Sequence, residues 1–335
     1  HPIHEERPMR MTWLAGLLIS LPLQSLLLAA AAPPATTEPT AALPPTTQAA
    51  KANDFLRFVD KGSTGSRLET ADVAYRNADG ATVHLVAAVH IGERDYFEGL
   101  NESFKLRDAV LYEMVKPKDQ PAPEHGAESH STISQMQRMI KDALGLEFQL
   151  DVIDYTRPNF VHADLDAETF ERMQAERGES MTMLMVRQML EQMANPPKDD
   201  ANAPTSEMQL EDLIQVFTRP DGERQVKLLL AKNLAQLEEG GMGLDAMDGT
   251  VILTERNKAA ISTLERTLKE GKRDVAVFYG AAHMPGLSKA LVEMGFHPVA
   301  REWRRAWDLT IRADQPSAVE NLLMNAAKGL DDLDK

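Results

Sequence analysis

Residues 83–92 read VHLVAAVHIG, and residues 275–286 read VAVFYGAAHMPG. Each segment is a short apolar run that ends in small residues and a histidine, His90 in the first and His283 in the second. A helical pattern follows each segment. Because open α/β sheets bind ligands at the carboxyl ends of their strands, the two segments predict two histidines at one edge of a central sheet.

A third apolar run, residues 109–115 (AVLYEMV), carries a single carboxylate, Glu113. A buried carboxylate is costly unless it is paired or binds a metal. The alternative is an edge strand with Glu113 facing water, since Tyr112 and Met114 alternate with it. Two histidines and a glutamate at strand ends are a donor set that suits a divalent ion, so the pattern favours a metal-assisted hydrolase.

The chain as a whole predicts a mixed α/β (α+β) fold, with a central β-sheet flanked by helices and two strand–histidine–helix units separated by a helical insertion. Strands over 67–75 and 81–89, joined by a turn at 77–80, predict a hairpin, and 298–311 predicts a final strand or hairpin. Asp166 is expected to cap a helix, with Thr169 in its first turn. Further helices are predicted over 96–106, 132–144, 206–217, 223–237, 250–270 and 287–294.

The start of the sequence has the pattern of a secretory signal peptide. Arg10 precedes an apolar run over 13–28 and small residues at 29–32, and residues 1–8 are interpreted as upstream read-through. An uncleaved membrane anchor is the alternative. We expect a signal peptide over 1–32, a disordered Pro/Thr/Ala linker over 33–53, a folded domain over 54–312 and a tail over 313–335. A periplasmic or secreted location follows, with no stable membrane span after cleavage.

Composition removes several classes of function. The net charge of -15 over 335 residues argues against a nucleic-acid partner, which needs clustered Lys and Arg. The chain has no cysteine, which excludes disulfides, Cys-ligated zinc and a thiol nucleophile. The sequence also lacks a Gly-rich phosphate loop, a G-x-S-x-G elbow and an H-E-x-x-H helix, which disfavours nucleotide enzymes, α/β-hydrolases and common zinc proteases.

Two further groups of polar residues are candidates for a site. Arg256 and Asn257 lie early in a predicted helix, where an arginine either belongs to a charged surface, clamps a carboxylate or stabilises an oxyanion. His162 and Asp164 precede another helix, where they could bind metal, support its ligands or belong to a polar loop.

In these motifs, the chain resembles the TraB/PrgY/GumN family, which includes the Tiki metalloproteases. The family's second Gly-x-x-His motif corresponds to residues 280–283, and its first corresponds to 87–90, where Ala87 replaces the glycine. Glu113 matches the family's strand glutamate, and residues 255–257 resemble its Glu-Arg-Asn helix. The resemblance covers residues 83–309.

The resemblance implies a manganese- or cobalt-like divalent ion. The four proposed catalytic residues, which lie in the motifs that carry the resemblance, are His90, Glu113, Arg256 and His283. His90, His283 and Glu113 are the expected metal ligands, and Arg256 is expected to stabilise an oxyanion. The expected function is an exported metal-dependent hydrolase that acts on a peptide or a small polar substrate. The alternatives are a non-catalytic peptide-sequestering protein of the TraB/PrgY type and a metal-free site that uses His and Glu as acid and base.

Overall fold

The structure, a computed structural model, describes residues 41–42, 49–50, 54–62, 65–121, 144–179, 222–238 and 250–310. The predicted signal peptide, the tail over 313–335 and the helix over 206–217 lie outside the described residues, as does nearly all of the predicted helix over 132–144.

A mixed sheet of eight strands forms the centre of the described structure, as predicted. In chain order its strands are β1 (Ala41–Ala42), β2 (Leu56–Val59), β3 (Arg67–Arg76), β4 (Thr82–Ala88), β6 (Ala109–Tyr112), β8 (Phe160–His162), β9 (Asp274–Gly280) and β10 (His297–Asp308). Their spatial order is β1-β10-β3-β4-β9-β6-β8, and β2 also pairs with β3. Two short strands, β5 (Ile91–Gly92) and β7 (Glu147–Phe148), form a separate antiparallel pair.

Helices flank this sheet, which confirms the predicted fold class. They are α1 (Arg94–Phe104), α2 (Gln149–Val152), α3 (Ala167–Arg177), α4 (Gly222–Glu238), α5 (Arg256–Lys269) and α6 (Met284–Glu293). A π-helical turn (Val251–Glu255) leads into α5, and a 3₁₀ turn (Ala281–His283) leads into α6. None of the helices in the described ranges is long and apolar enough to cross a membrane.

Local chemistry explains the elements that the sequence predicted. The β3–β4 hairpin turns where the side chain of Asn77 accepts a hydrogen bond from the Ala81 amide (2.9 Å), with Gly80 at a φ of 81° that favours glycine. Asp166 caps α3 by accepting a hydrogen bond from the Thr169 amide (2.8 Å), and the helix ends at Gly178 in the left-handed conformation.

The two faces of the sheet carry different helices. Alternate residues of a strand face opposite sides, so Thr70 and Tyr75 of β3 lie on opposite faces. Thr70 hydrogen-bonds Tyr96 of α1 (3.0 Å), whereas Tyr75 hydrogen-bonds Ser288 of α6 (2.8 Å). The strands β4, β6 and β9 are mainly apolar because both of their faces are buried.

Four neighbouring strands, β4, β9, β6 and β8, run parallel to one another. Their carboxyl ends therefore meet at one edge, where Ala88 pairs with Gly280 and Tyr112 pairs with both Phe278 and His162. The two strand–histidine segments that are far apart in sequence, β4 and β9, are direct neighbours here. This edge is where the sequence predicted a site.

The final element is one strand, β10, which is the first of the two predicted alternatives. Two details differ from the predictions. Strand β6 ends at Tyr112, so Glu113 is the first residue beyond the strand rather than within it. Residues 41–42, inside the predicted linker, pair with β10 and so belong to the sheet.

Candidate functional site

The carboxyl edge of the parallel strands brings together His90, Glu113 and His283. His90 follows β4, Glu113 follows β6, and His283 ends the 3₁₀ turn after β9. Glu113 and His283 are buried, and His90 is half-buried. Glu113 is 9% exposed, so the alternative of an edge-strand glutamate facing water is wrong.

Both carboxylate oxygens of Glu113 are hydrogen-bonded. Oε2 accepts from the backbone N–H of Gly280 (2.6 Å), and Oε1 accepts from Nη2 of Arg256 (2.7 Å). Burial raises the pKa of Glu113, but the positive guanidinium group of Arg256 and the neighbouring imidazoles of His283 and His90 outweigh it and hold that pKa well below its usual range. Glu113 is therefore an ionised carboxylate in a buried setting.

Arg256 joins Glu113 to a second carboxylate, Asp164. Nε of Arg256 donates to Oδ1 of Asp164 (2.9 Å), and Nη2 donates to Oδ2 (2.5 Å). Burial lowers the pKa of Arg256, but the two carboxylates raise it further, so the guanidinium group remains charged. Arg256 is 4% exposed, so the alternative of a charged helix surface is wrong, and the arginine clamps carboxylates as the sequence allowed.

Asn257 fixes the orientation of the His283 ring and the proton on its Nδ1. Its Nδ2 donates to the carbonyl oxygen of His283 (3.3 Å), and its Oδ1 lies 2.8 Å from Nδ1 of the same residue. Because a carbonyl oxygen only accepts, the amide nitrogen of Asn257 must face it, and Oδ1 then faces the ring and accepts from Nδ1–H. Nε2 of His283 lies 3.5 Å from Oε1 of Glu113, and in the neutral ring this nitrogen is the acceptor.

Gln149 holds His90 in the same way. Oε1 of Gln149 lies 3.2 Å from Nδ1 of His90, and Nε2 of Gln149 donates to the hydroxyl of Tyr155 (2.7 Å). Burial lowers the pKa of His90, which favours a neutral ring with its proton on Nδ1 and a free Nε2. In their neutral forms, both imidazoles present an unprotonated Nε2 at the edge where Glu113 lies.

Gly280 allows His90 and Glu113 to approach the backbone closely. A Cβ atom added to Gly280 would lie 3.3 Å from Oε2 of Glu113 and 3.4 Å from Nε2 of His90. The backbone of Gly280 has a φ of -55°, which any residue can adopt, so the site needs glycine for space and not for conformation.

These residues fit a divalent ion by chemistry. Imidazole nitrogens and a carboxylate are suitable ligands, and each ring donates its other N–H to a side-chain amide, as metal-ligating histidines do. When the His283 ring is neutral, its Nε2 and Oε1 of Glu113 face each other as two acceptors, an arrangement that a shared proton or a cation stabilises. No group of three or more His, Asp or Glu side chains among residues 41–310 where the structure is described has a geometry ready to hold a metal ion.

The structure places the two remaining candidates from the sequence in different surroundings. Asp164 lies with Arg256 and Glu113, whereas the side chain of His162 turns away and hydrogen-bonds the carbonyl oxygen of Met114 (2.6 Å). Gln149, Tyr155 and Tyr279 were not predicted. Tyr279 stacks edge-on against His283 (5.2 Å between ring centroids) and donates to the carbonyl oxygen of Ala163 (2.5 Å).

Comparison with known proteins found no matching family model, no matching curated protein and no matching solved structure. The assignment to the TraB/PrgY/GumN family therefore stays a prediction from the motifs quoted above.

Proposed function

We propose that this protein is a metal-dependent hydrolase that acts on peptides, with His90, Glu113 and His283 as the ligands of one divalent ion. The observation that carries this proposal is the paired orientation of the two imidazoles. Nδ1 of each ring lies against an amide oxygen, so that in the neutral ring Nε2 is the unprotonated nitrogen, on the side of Glu113. Manganese and cobalt are the ions to test first, because the motif resemblance implies them.

The protein's own residues have separable roles in this proposal. A bound divalent ion would polarise a substrate carbonyl and lower the pKa of a coordinated water. Asn257 and Gln149 orient the two histidine ligands, and Arg256 keeps Glu113 ionised. Arg256 already donates to two carboxylates. These contacts support a role in holding Glu113 more directly than they support the oxyanion role proposed from the sequence.

A peptide-sequestering protein without catalysis is the second candidate. Glu113 and Arg256 hydrogen-bond to groups of the protein itself, as in a structural ion cluster. Such a closed cluster would support a binding cleft without any chemistry. For either candidate, export to the periplasm or outside the cell is part of the proposal and rests on the first 32 residues.

The decisive experiment is hydrolysis of a mixed peptide library, with products identified by mass spectrometry. Protein purified without chelator is compared with chelated protein and with chelated protein resupplied with Mn²⁺ or Co²⁺. The proposal expects cleavage that the chelator abolishes, that the metal restores and that Glu113→Gln lacks. Peptide binding without cleavage under every metal condition would favour the sequestering protein instead.

A matched variant separates loss of chemistry from loss of fold. Asp72 is also a buried carboxylate (4% exposed), but it pairs with His84 (2.8 Å) and Arg107 (3.6 Å) rather than with site residues. Asp72→Asn should lower stability while leaving chelator-sensitive hydrolysis intact in the folded fraction. Equal loss of hydrolysis in Asp72→Asn and Glu113→Gln would indicate that the chemistry does not depend on Glu113 itself.

A further inference from the structure

Asp164 lies just beyond the end of β8, and its side chain has no exposed surface. Both of its oxygens accept hydrogen bonds from one side of Arg256, Oδ1 from Nε and Oδ2 from Nη2. Two parallel hydrogen bonds of this kind fix the plane of a guanidinium group as well as its position.

Fixing this plane also determines where the next hydrogen bond of Arg256 points. Nη2 has two protons, one directed at Asp164 and the other at Oε1 of Glu113 (2.7 Å). The second oxygen of Glu113 is held by the Gly280 amide (2.6 Å). The orientation of the Glu113 carboxylate therefore depends at one oxygen on Arg256, whose own orientation depends on Asp164.

The segment that carries Asp164 is itself tied to the neighbouring strands. The Ala163 amide donates to the carbonyl oxygen of Tyr112 (3.2 Å), and the Ala163 carbonyl accepts from the hydroxyl of Tyr279 (2.5 Å). These bonds attach the segment to β6 and β9, the strands that lead into Glu113 and Gly280. Asp164 is thus held rigidly enough to position its partner.

Charge gives Asp164 a second effect. Arg256 alone would cancel the negative charge of Glu113, and a neutral cluster attracts a cation weakly. With Asp164 included, the three side chains carry one net negative charge beside two imidazoles. Asp164 neither accepts a hydrogen bond from Gly280 nor faces His283, and its charge restores the negative potential at the site.

We propose that Asp164 is a positioning residue, which acts through Arg256 to orient Glu113 and to keep the cluster negative. The part of this inference that concerns a metal ion rests on the proposed function, whereas the part that concerns the orientation of Glu113 does not. The two parts can be measured separately.

The first readout uses metal-free protein and the backbone amide resonance of Gly280, whose N–H donates to Oε2 of Glu113. Asp164→Asn should shift this resonance, because the amide of asparagine cannot accept both Arg256 hydrogen bonds. Asp72→Asn, which removes a buried carboxylate from the other cluster, should leave it in place. Thermal unfolding of each variant establishes that it is folded at the temperature of the measurement.

The second readout is Mn²⁺ affinity by calorimetric titration. Loss of an outer partner of a metal ligand typically weakens metal affinity by about 10–100-fold, and we expect a loss in this range for Asp164→Asn. Asp72→Asn should bind Mn²⁺ like the wild type. If Asp164 acted in folding alone, both variants would unfold at a lower temperature but would bind Mn²⁺ with the same affinity.

Asp164→Glu provides a variant that keeps the charge, and it decides the matter if Asp164→Asn does not fold. Its extra methylene displaces Arg256, so the Gly280 resonance should again shift. A Gly280 resonance that stays at its wild-type position in the folded Asp164 variants would overturn the inference. If wild-type protein binds no Mn²⁺, the proposed function fails, but the Gly280 resonance still decides whether Asp164 positions Glu113.

Discussion

Nδ1 of His283 lies 2.8 Å from Oδ1 of Asn257, and the neighbouring amide nitrogen of Asn257 donates to the backbone carbonyl of the same histidine. This double contact selects one tautomer and one ring orientation of His283. We predict that Asn257→Leu, which removes both contacts, weakens Mn²⁺ binding by about 10–100-fold. Equilibrium dialysis against Mn²⁺ measures the change, and an unchanged affinity would show that Asn257 does not orient a ligand.

Gly286→Ala should reproduce the effect of Asn257→Leu without altering Asn257 itself. A Cβ atom on Gly286 would lie 2.5 Å from Nδ2 of Asn257, closer than real Cβ contacts, so the asparagine side chain must move. We expect a weaker Mn²⁺ affinity in the same direction as for Asn257→Leu. Wild-type affinity in this variant, with Asn257 displaced in its crystal structure, would contradict the role assigned to Asn257.

Gly280→Ala tests whether the site needs the close approach of His90 and Glu113 to the Gly280 backbone. The new methyl group would lie 3.3–3.4 Å from both side chains, while the backbone conformation suits alanine. We predict a folded protein whose Mn²⁺ affinity and chelator-sensitive hydrolysis both fall, by about 10-fold or more.

Gly99→Ala is the matched control for Gly280→Ala. Gly99 lies within α1, and a Cβ atom there would meet no atom within 4 Å. Because alanine is favoured over glycine in a helix, this variant should gain about 0.5–1 kcal/mol of stability with unchanged metal affinity. If Gly280→Ala also leaves affinity unchanged, the space beside Gly280 has no role in the site.

Acid should destabilise the metal-free protein partly through Glu113. The pKa of Glu113 is well below the value of 4.5 expected for an unperturbed glutamate, so the folded state binds this proton less readily than the unfolded chain. Its contribution to stability is present above that ordinary value and is lost as the pH falls through the folded-state pKa. Urea unfolding from about pH 7 to about pH 3 should therefore show a shallower loss of stability in Glu113→Gln than in wild type. Parallel pH profiles for the two proteins would show that the Glu113 carboxylate is not stabilised in its ionised form.

The cap of α3 should contribute stability without affecting the site. Asp166→Ala removes the acceptor for the Thr169 amide and should cost about 1 kcal/mol, whereas Asp166→Ser should retain most of that stability. Denaturant titration measures both differences. A loss of Mn²⁺ affinity in folded Asp166→Ala would indicate that α3 supports the site more directly than its contacts show.

The sequence predicted the parts of this structure that follow from local pattern. Apolar runs that end in His90 and His283 predicted strands and their shared edge, because parallel strands are apolar on both faces. Glu113 stood out as the one carboxylate in an apolar run. Arg256, in the Glu-Arg-Asn segment, was also a candidate, but its local pattern left several roles possible.

The partners of those residues could not be predicted, because they come from distant segments with ordinary local patterns. Gln149 opens a single helical turn, and nothing in its surroundings indicates that it contacts His90. Asp164 and His162 looked equivalent in sequence, yet the chain beyond the end of β8 brings Asp164 to Arg256, whereas His162 contacts the Met114 carbonyl. Such pairings depend on strand order, which a single sequence does not specify.

The central claim is that His90, Glu113 and His283 bind one divalent ion, and titration of metal-free protein with Co²⁺ tests it most directly. Co²⁺ bound by nitrogen and oxygen ligands gives a visible absorption band, so site occupancy is observed without any assay of hydrolysis. We predict saturation at about one ion per chain for wild type and for Asp72→Asn, with a band that is weakened or lost in His283→Gln and Glu113→Gln. Wild-type protein that develops no band, or a Glu113→Gln variant that gives the wild-type band at the same Co²⁺ concentration, would contradict the metal site.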